Sequence, residues 1–190
     1  MIAKLLSLGA AAVAAAAIGG AAQAAPNDSA ACAAALDVVK GQLVPRKDAR
    51  PWAVIGSAGS RDDGLTAQAL RKGLRADPPS QALAARFVGQ NERDPLEACP
   101  EVLGLLERRH VVHDQAVIDQ ILAKAGKDAK LYPIRIFSLS LPVIGADGRD
   151  ALTDTGETGG ADRVRGWVVH LRKDAKGHWR EVAAFTNITG

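Results

Sequence analysis

The sequence predicts an α+β domain, in which a helical N-terminal two thirds packs on a C-terminal antiparallel β-meander. Up to Gly126 the apolar residues recur mainly at the three- and four-residue spacing of one helix face. From Leu131 onward they alternate with polar residues, as in strands that have one face buried. Because helices come first and strands last, we expect the helices to cover one face of the sheet.

The length of the chain suits one domain better than two. It has 190 residues, and no internal repeat, heptad run or long linker divides it. We therefore expect residues 25–190 to form a single domain that follows an N-terminal leader at residues 1–24. Aromatic residues make up only 4% of the chain, so Ala, Leu, Val and Ile must supply most of the core.

The N-terminus has the three-part order of a secretory signal peptide. Lys4 precedes the apolar stretch Leu5–Ile18, and small residues follow up to Ala22-Gln23-Ala24. We expect cleavage near Ala24 and a mature protein in the periplasm or outside the cell. The alternative is a permanent membrane anchor, but this stretch is short and rich in Ala for a spanning helix.

Capping residues and prolines place the predicted helices. Asp28 or Ser29 can accept hydrogen bonds from free backbone N–H groups, so the first helix is expected to start there and to end before Pro45. A short extended segment follows at Trp52–Ile55. The later helix boundaries are predicted at a cap Asp63, the Pro78–Ser80 break, a cap Asp94 before Pro95, a cap Asp114, and the terminating Gly126.

Two hairpins are predicted in the C-terminal third. Asp147-Gly148 supplies the turn of the first hairpin, and residues 174–177 supply the turn of the second. Trp167 and Trp179 fall on alternating positions that we expect on the buried face of the second hairpin. The predicted strands are 131–143, 151–155, 167–172 and 179–185.

Cys32 and Cys99 are the only cysteines of the chain, and we predict a disulfide between them. The bond would close a long loop and stabilise the fold by about 4 kcal/mol on the chain-entropy estimate. One alternative is a reactive thiol, but nothing nearby in the sequence would activate one. Another is a lipoprotein cleaved before Cys32, which would place the polar residues 26–29 inside the leader.

The densest cluster of potential metal ligands is His110, His113 and Asp114. Two histidines three residues apart share one face of a helix, and the carboxylate adds a further ligand for an ion such as zinc. The spacing differs from the zinc-protease signature, in which two histidines lie four apart with a Glu between them. The alternative is a polar stretch that precedes a helix capped by Asp114.

Two further polar segments can be interpreted as ion sites or as turns. Between the hairpins lies a Gly- and Thr-rich stretch with four acids, Asp150, Asp154, Glu157 and Asp162. Oxygen ligands suit calcium, but the spacing matches no calcium loop, so we favour a solvated hairpin loop. Gly56–Ser60, with Arg61 beside it, can present N–H groups to an anion, but it lacks the P-loop pattern and a surface turn is favoured.

Charge and composition exclude several kinds of partner. The formal net charge is +3, which is too small an excess to indicate nucleic acid as a partner. Aromatic residues interleaved with basic ones, as single-stranded nucleic acid requires, are lacking. No dinucleotide-binding or serine-hydrolase motif is present, so no cofactor is expected.

Residues 170–182 read H-L-R-K-D-A-K-G-H-W-R-E-V. This segment resembles the closing hairpin of small bacterial secreted proteins, and it is similar to the last hairpin of NTF2-like domains. In those domains a strand, a charged Gly turn and a Trp-containing strand complete a curved sheet. The resemblance implies a hairpin at the end of the sheet and a cone-shaped pocket, and it transfers no catalytic residue.

Two functions are consistent with these features. The first is a non-catalytic binding or accessory protein of the bacterial envelope, with a small molecule, a peptide or another envelope protein as its partner. The second is a periplasmic hydrolase or metal-dependent enzyme that uses His110, His113 and Asp114. No residue of the sequence is identified as catalytic or ligand-binding beyond these candidates.

Overall fold

The computed structural model describes residues 26–44, 50–59, 64–126 and 128–189. The predicted signal peptide, Asp63 as a cap and the Ser60–Arg61 end of the anion segment lie outside these residues. The first helix ends at Gln42, before Pro45 as predicted. None of the described helices is long and apolar enough to cross a membrane.

Helices occupy the N-terminal part of the described chain and most strands lie in the C-terminal half, which confirms the predicted α+β class. The helices are α1 (Pro26–Gln42), α2 (Ala67–Gly73), α3 (Gln81–Gly89), α4 (Pro95–Ala98), α5 (Pro100–Arg108) and α6 (Gln115–Ala125). The strands are β1 (Trp52–Gly56), β2 (Arg135–Leu139), β3 (Val143–Ile144), β4 (Asp150–Thr158), β5 (Val164–Lys173) and β6 (Trp179–Thr189).

Side-chain caps mark the starts of four helices. At the predicted boundaries of α3, α4 and α6, the capping side chains are those of Ser80, Asp94 and Asp114. The cap of α2 is Thr66, whose Oγ1 lies 3.1 Å from the backbone N of Ala69. The helix begins at Ala67, so its described cap is Thr66 rather than the predicted Asp63.

The C-terminal strands pair antiparallel as predicted, but the sheet as a whole is mixed because β1 joins it in parallel. Its strand order is β1-β2-β4-β5-β6, and β3 pairs with β4. Strand β1 lies parallel to β2, with Trp52 opposite Arg135, while the other strand pairs are antiparallel. Because α2 to α6 separate β1 from β2 along the chain, the connection is long enough for the crossover that a parallel pair needs.

Strand β4 occupies most of the segment for which the sequence predicts a hairpin loop. It pairs with β5 over its whole length, well beyond the predicted strand 151–155. Its threonines favour extended structure, and Gly156 lets β2 approach, since a Cβ there would lie 2.5 Å from Ser138 Oγ. Pairing along both edges thus outweighs a composition that is typical of loops.

Helices cover both faces of the sheet, whereas the sequence predicts cover on one face. Helices α1, α4 and α5 pack on what we call the first face, which carries Phe137 and Val169. Helices α2 and α3 pack on the opposite, second face against Leu152 and Val168, and α6 packs on that face against Ile136. Val168 and Val169 are therefore both buried although they are neighbours on one strand.

The predicted disulfide between Cys32 and Cys99 is present. It joins α1 to the residue before α5, and the two Cα atoms lie 5.3 Å apart, within the range that such a bond spans. Both cysteines are buried in the core of the first face. The bond therefore fixes α1 over the sheet.

Candidate ligand-binding site

A cavity of about 540 Å³ lies between helix α1 and the first face of the sheet. We call it the first-face cavity; Asp37 and Gly41 of α1 and Trp167, Val169 and Trp179 of the sheet are among the residues that line it. Its volume is within the range typical of small-molecule sites in proteins. The lining comes from segments that are distant in the sequence, so only the folded chain creates this space.

The wall formed by α1 is open, and most of its lining residues are polar or small. Ala34, Ala35 and Val39 pack into the core, whereas Asp37 and Gly41 line the cavity. A Cβ on Gly41 would have no atom within 4 Å, so the fold does not require glycine at this position. The space beside Gly41 can therefore take a side chain or a ligand.

The wall formed by the sheet is aromatic and aliphatic. Trp167, Val169 and Leu171 occupy alternate positions of β5, and Phe137 and Trp179 extend the same surface on β2 and β6. Trp179 is only 3% exposed, which confirms its predicted place on a buried face, and Trp167 is half-buried. This wall can pack against a flat apolar ligand.

The indole nitrogen of Trp179 is a buried donor without an acceptor. Among the described residues, it is the buried side-chain polar atom that lacks a hydrogen-bond partner. Such an unpaired group costs about 1 to 3 kcal/mol when it is removed from water. The Nζ of Lys173 lies 4.9 Å from the centroid of the indole ring and places a positive charge over the ring, but it leaves the N–H unpaired.

Asp37 connects α1 to the start of β6. Its carboxylate accepts a hydrogen bond from the backbone N of Trp179 at 2.9 Å. Lys40 Nζ lies 3.6 Å and His178 Nδ1 lies 3.8 Å from the same carboxylate. The oxygens of Asp37 are thus engaged by groups of the protein.

Glu157, on β4, is the second partly buried carboxylate of the cavity. It accepts hydrogen bonds from the guanidinium of Arg135, which is only 7% exposed. The Arg135 guanidinium also stacks on Trp52, 4.0 Å from the ring centroid. The aromatic ring and the carboxylate together hold this buried charge, so Glu157 has a structural partner.

Three charged side chains lie at the exposed rim of the cavity. Arg180 Nε is paired with Asp174 at 3.3 Å, and the backbone N–H of His178 holds the pKa of Asp174 below its ordinary value. Arg165 and Glu181 have no hydrogen-bond or ion-pair partner in the part of the chain that the structure describes.

The predicted metal cluster has structural roles in the fold. His110 is an exposed turn residue after α5, with a φ of 52°, and His113 Nδ1 lies 3.0 Å from the Val111 carbonyl oxygen. Asp114 accepts the hydrogen bond that caps α6. Over the described residues, no group of three His, Cys, Asp or Glu side chains is placed to hold a metal ion. The geometry gives the metal hypothesis no support.

The acids predicted as a possible calcium loop lie apart. Asp150 and Asp154 belong to the second face of β4, whereas Glu157 belongs to the first face. Asp162 is an exposed turn residue beyond the strand. The predicted loop is thus wrong for the residues within β4, and the sheet separates their carboxylates.

The described part of the predicted anion segment faces carboxylates. A Cβ on Gly56 would overlap the carboxylate of Asp94, and Ser57 Oγ donates a hydrogen bond to Glu92. Negative groups at this distance repel an anion. The predicted turn is wrong for the described residues, because Gly56 ends β1 and Gly59 forms an antiparallel bridge with Glu92.

The sequence predicts a buried face for Trp167 and Trp179 but does not indicate that they line a cavity, and it misses the polar lining. Asp37 and Gly41 read as ordinary helix residues, and Glu157 falls in a predicted loop. Arg165 precedes the predicted strand 167–172, whereas β5 begins at Val164. The two-residue spacing of Arg165 and Trp167 is the signal that could have placed Arg165 beside the tryptophan. It indicates a shared face only if the strand is known to begin before Arg165.

Known proteins offer no guide to the use of this cavity. Comparison of the chain with models of protein families, with curated proteins and with solved structures gives no match. A function must therefore be inferred from the residues of the cavity themselves.

Proposed function

We propose that this chain is a non-catalytic binding protein of the bacterial envelope, which holds a small molecule in the first-face cavity. The observation that carries the proposal is Trp179, a lining residue of the cavity whose buried indole N–H has no acceptor among the described residues. A ligand acceptor would remove the cost of that unpaired group. The similarity of the closing hairpin to that of NTF2-like domains, which implies a pocket, agrees with this proposal.

The polar groups of the cavity favour binding over catalysis. A general base must be free to take a proton from a substrate. Asp37 accepts from the Trp179 backbone and Glu157 accepts from Arg135, so both partly buried carboxylates already have donors. The aromatic wall offers contact area, which is what a binding site needs.

Export is part of the same proposal. A disulfide such as Cys32–Cys99 persists in oxidising compartments, and the bond is buried in the core that holds α1 over the sheet. The tripartite leader supports secretion to the periplasm or beyond, with cleavage near Ala24. The partner would then be a molecule met outside the cytoplasm.

A blocking substitution in α1 tests the site. Gly41→Trp places a large side chain in open space on the cavity wall, and Ala33→Trp, at an exposed position of the same helix outside the cavity lining, is the matched control. The probes are neutral N-phenylnaphthylamine and its anionic relative anilinonaphthalene sulfonate, both followed by fluorescence. We expect at least one probe to bind the wild type and the Ala33→Trp variant but not the Gly41→Trp variant.

Two results would contradict the proposed site. In the first, neither probe binds the wild type. In the second, a probe binds the Gly41→Trp variant as well as it binds the wild type, which would place the probe elsewhere. Gly41 and Ala33 are exposed, so we expect both variants to fold. Circular dichroism and the melting temperature check this expectation.

A further inference from the structure

We propose that the ligand of the first-face cavity is an organic anion with a flat apolar body, and that Arg165 binds its anionic group. This inference rests on the proposed binding function and specifies the chemical class of the ligand. Some donors and acceptors of the cavity already have hydrogen-bond partners in the protein, and others do not. This difference indicates which groups a ligand must supply.

The partly buried acceptors of the cavity are already paired. Asp37 accepts from the backbone N of Trp179, and Glu157 accepts from Arg135. A ligand that brings further donors would have to compete with these contacts.

Lining residues of the cavity carry several donors that are unpaired within the described part of the chain, and two of them bear on the ligand. One is the buried indole N–H of the lining residue Trp179. The other is the guanidinium of Arg165, whose cross-strand neighbour Glu157 is held by Arg135. Unpaired donors, one of them a permanent cation, are complemented by a ligand with acceptor oxygens and negative charge.

The unpaired acid Glu181 lies at the other end of the cavity from Arg165. Glu181 is opposite Leu171 on β5, and Leu171 lies about 20 Å from Arg165 along that strand, at roughly 3.3 Å per residue. At this distance salt screens the attraction between the two exposed charges. Glu181 therefore does not neutralise the cationic end.

Arg165 and Trp167 lie on the same face of β5, about 7 Å apart along the strand. The indole of Trp167 is half-buried and borders the aliphatic surface of Val169. A ligand whose flat body stacks on Trp167 can carry an anionic group one or two bonds away from that body. This group would then lie at the guanidinium of Arg165. This arrangement selects for an amphipathic acid.

The charge of the probe and the charge of residue 165 are the two variables of the test. Anilinonaphthalene sulfonate and N-phenylnaphthylamine share a ring system and differ in the sulfonate group. We expect Arg165→Gln to weaken binding of the sulfonate about tenfold or more, since a hydrogen bond to a charged group is lost. Binding of the neutral probe should be unchanged. Arg163→Gln, which removes the same charge at an exposed position outside the cavity lining, should leave both affinities unchanged.

The outcomes separate the ligand class from the site itself. Equal affinity for the two probes in the wild type, or equal weakening by Arg165→Gln and Arg163→Gln, would overturn the assignment of an anion to Arg165. If the Gly41→Trp substitution still blocked binding in that case, the cavity would remain the binding site. If no probe bound the wild type, the proposed function itself would fail.

Discussion

Both terminal nitrogens of Arg172 donate hydrogen bonds to the carboxylate of Asp77, at 2.6 and 3.1 Å. Asp77 lies in the connection between α2 and α3, whereas Arg172 is on β5, so the pair fastens the second-face helices to the sheet. The Nε of Arg172 also donates to Asp150 at 2.7 Å. These hydrogen bonds, led by those to Asp77, raise the pKa of Arg172.

Arg172→Ala should destabilise the protein by about 1 to 2 kcal/mol, because a two-point pair is lost and two carboxylates are left together, although part of the arginine is exposed to solvent. Urea denaturation measures this change in the free energy of unfolding. The control is Arg180→Ala, which removes a more exposed arginine with one contact to Asp174. Equal losses in the free energy of unfolding for the two variants would show that the two-point contact with Asp77 adds no stability beyond that of an exposed ion pair.

His170→Phe should cost about 1 to 3 kcal/mol, because the Asp77 carbonyl oxygen loses its hydrogen-bond partner, while Asp150 keeps its bond from Arg172. His170 is fully buried; its Nδ1 lies 2.8 Å from the Asp77 carbonyl oxygen and its Nε2 lies 3.1 Å from Asp150 Oδ1. The aromatic volume is largely kept, so packing alone predicts a small effect. His178→Phe, at an exposed residue, is the comparison; a loss no larger than in that variant would show that the two hydrogen bonds of His170 are dispensable.

Replacement of both Cys32 and Cys99 by Ala should lower the free energy of unfolding by about 4 kcal/mol on the chain-entropy estimate. The same loss is expected on reduction of the wild type, while the double variant should not respond to reductant. Urea denaturation with and without reductant measures both effects. Two free thiols in the unreduced, denatured protein would refute the bond.

The β5–β6 turn should lose stability at acid pH through Asp174. Its Oδ1 accepts hydrogen bonds from the backbone N atoms of His178 at 3.0 Å and Lys176 at 2.8 Å. These bonds, and above all the one from His178, lower the pKa of Asp174 below 3.8. A lowered pKa means that the stabilisation is complete above the ordinary value and disappears as the pH falls through the folded value.

Asp174→Asn keeps an acceptor oxygen but cannot titrate, so its melting temperature should fall less than that of the wild type as the pH is lowered below about 4. Asp162→Asn, at an exposed acid of the preceding turn, is the matched control. Parallel melting curves for the wild type and Asp174→Asn across this pH range would contradict the assigned role of Asp174.

Export predicts a shortened chain in the cell envelope. N-terminal sequencing of protein from the periplasmic fraction should begin at Ala25. Ala22-Gln23-Ala24 has small residues at its first and third positions, which is the pattern that signal peptidase cuts after. A product that begins at Met1 in the cytosol would remove both the proposed compartment and the oxidising conditions that favour the disulfide.

Local signals in the sequence were sufficient for most helix boundaries, for the closing hairpin and for the crosslink. A side chain such as Asp114 can cap a helix through contacts within a few residues, and the Asp174–Gly177 turn joins neighbouring strands. The pairing of Cys32 with Cys99 needed no spatial information, because the chain has no other cysteine. These features depend on chemistry that is written into short segments.

Contacts between distant segments were decided only by the tertiary structure. The parallel pairing of β1, the extension of β4 through the predicted loop and the helix cover on the second face all depend on partners far along the chain. The cavity has the same origin: Gly41 and Arg165 acquire a meaning only when α1 is held over β5. Local propensity acts over a few residues, whereas the choice of partners is made by burial of surface across the whole domain, and no short pattern encodes that choice.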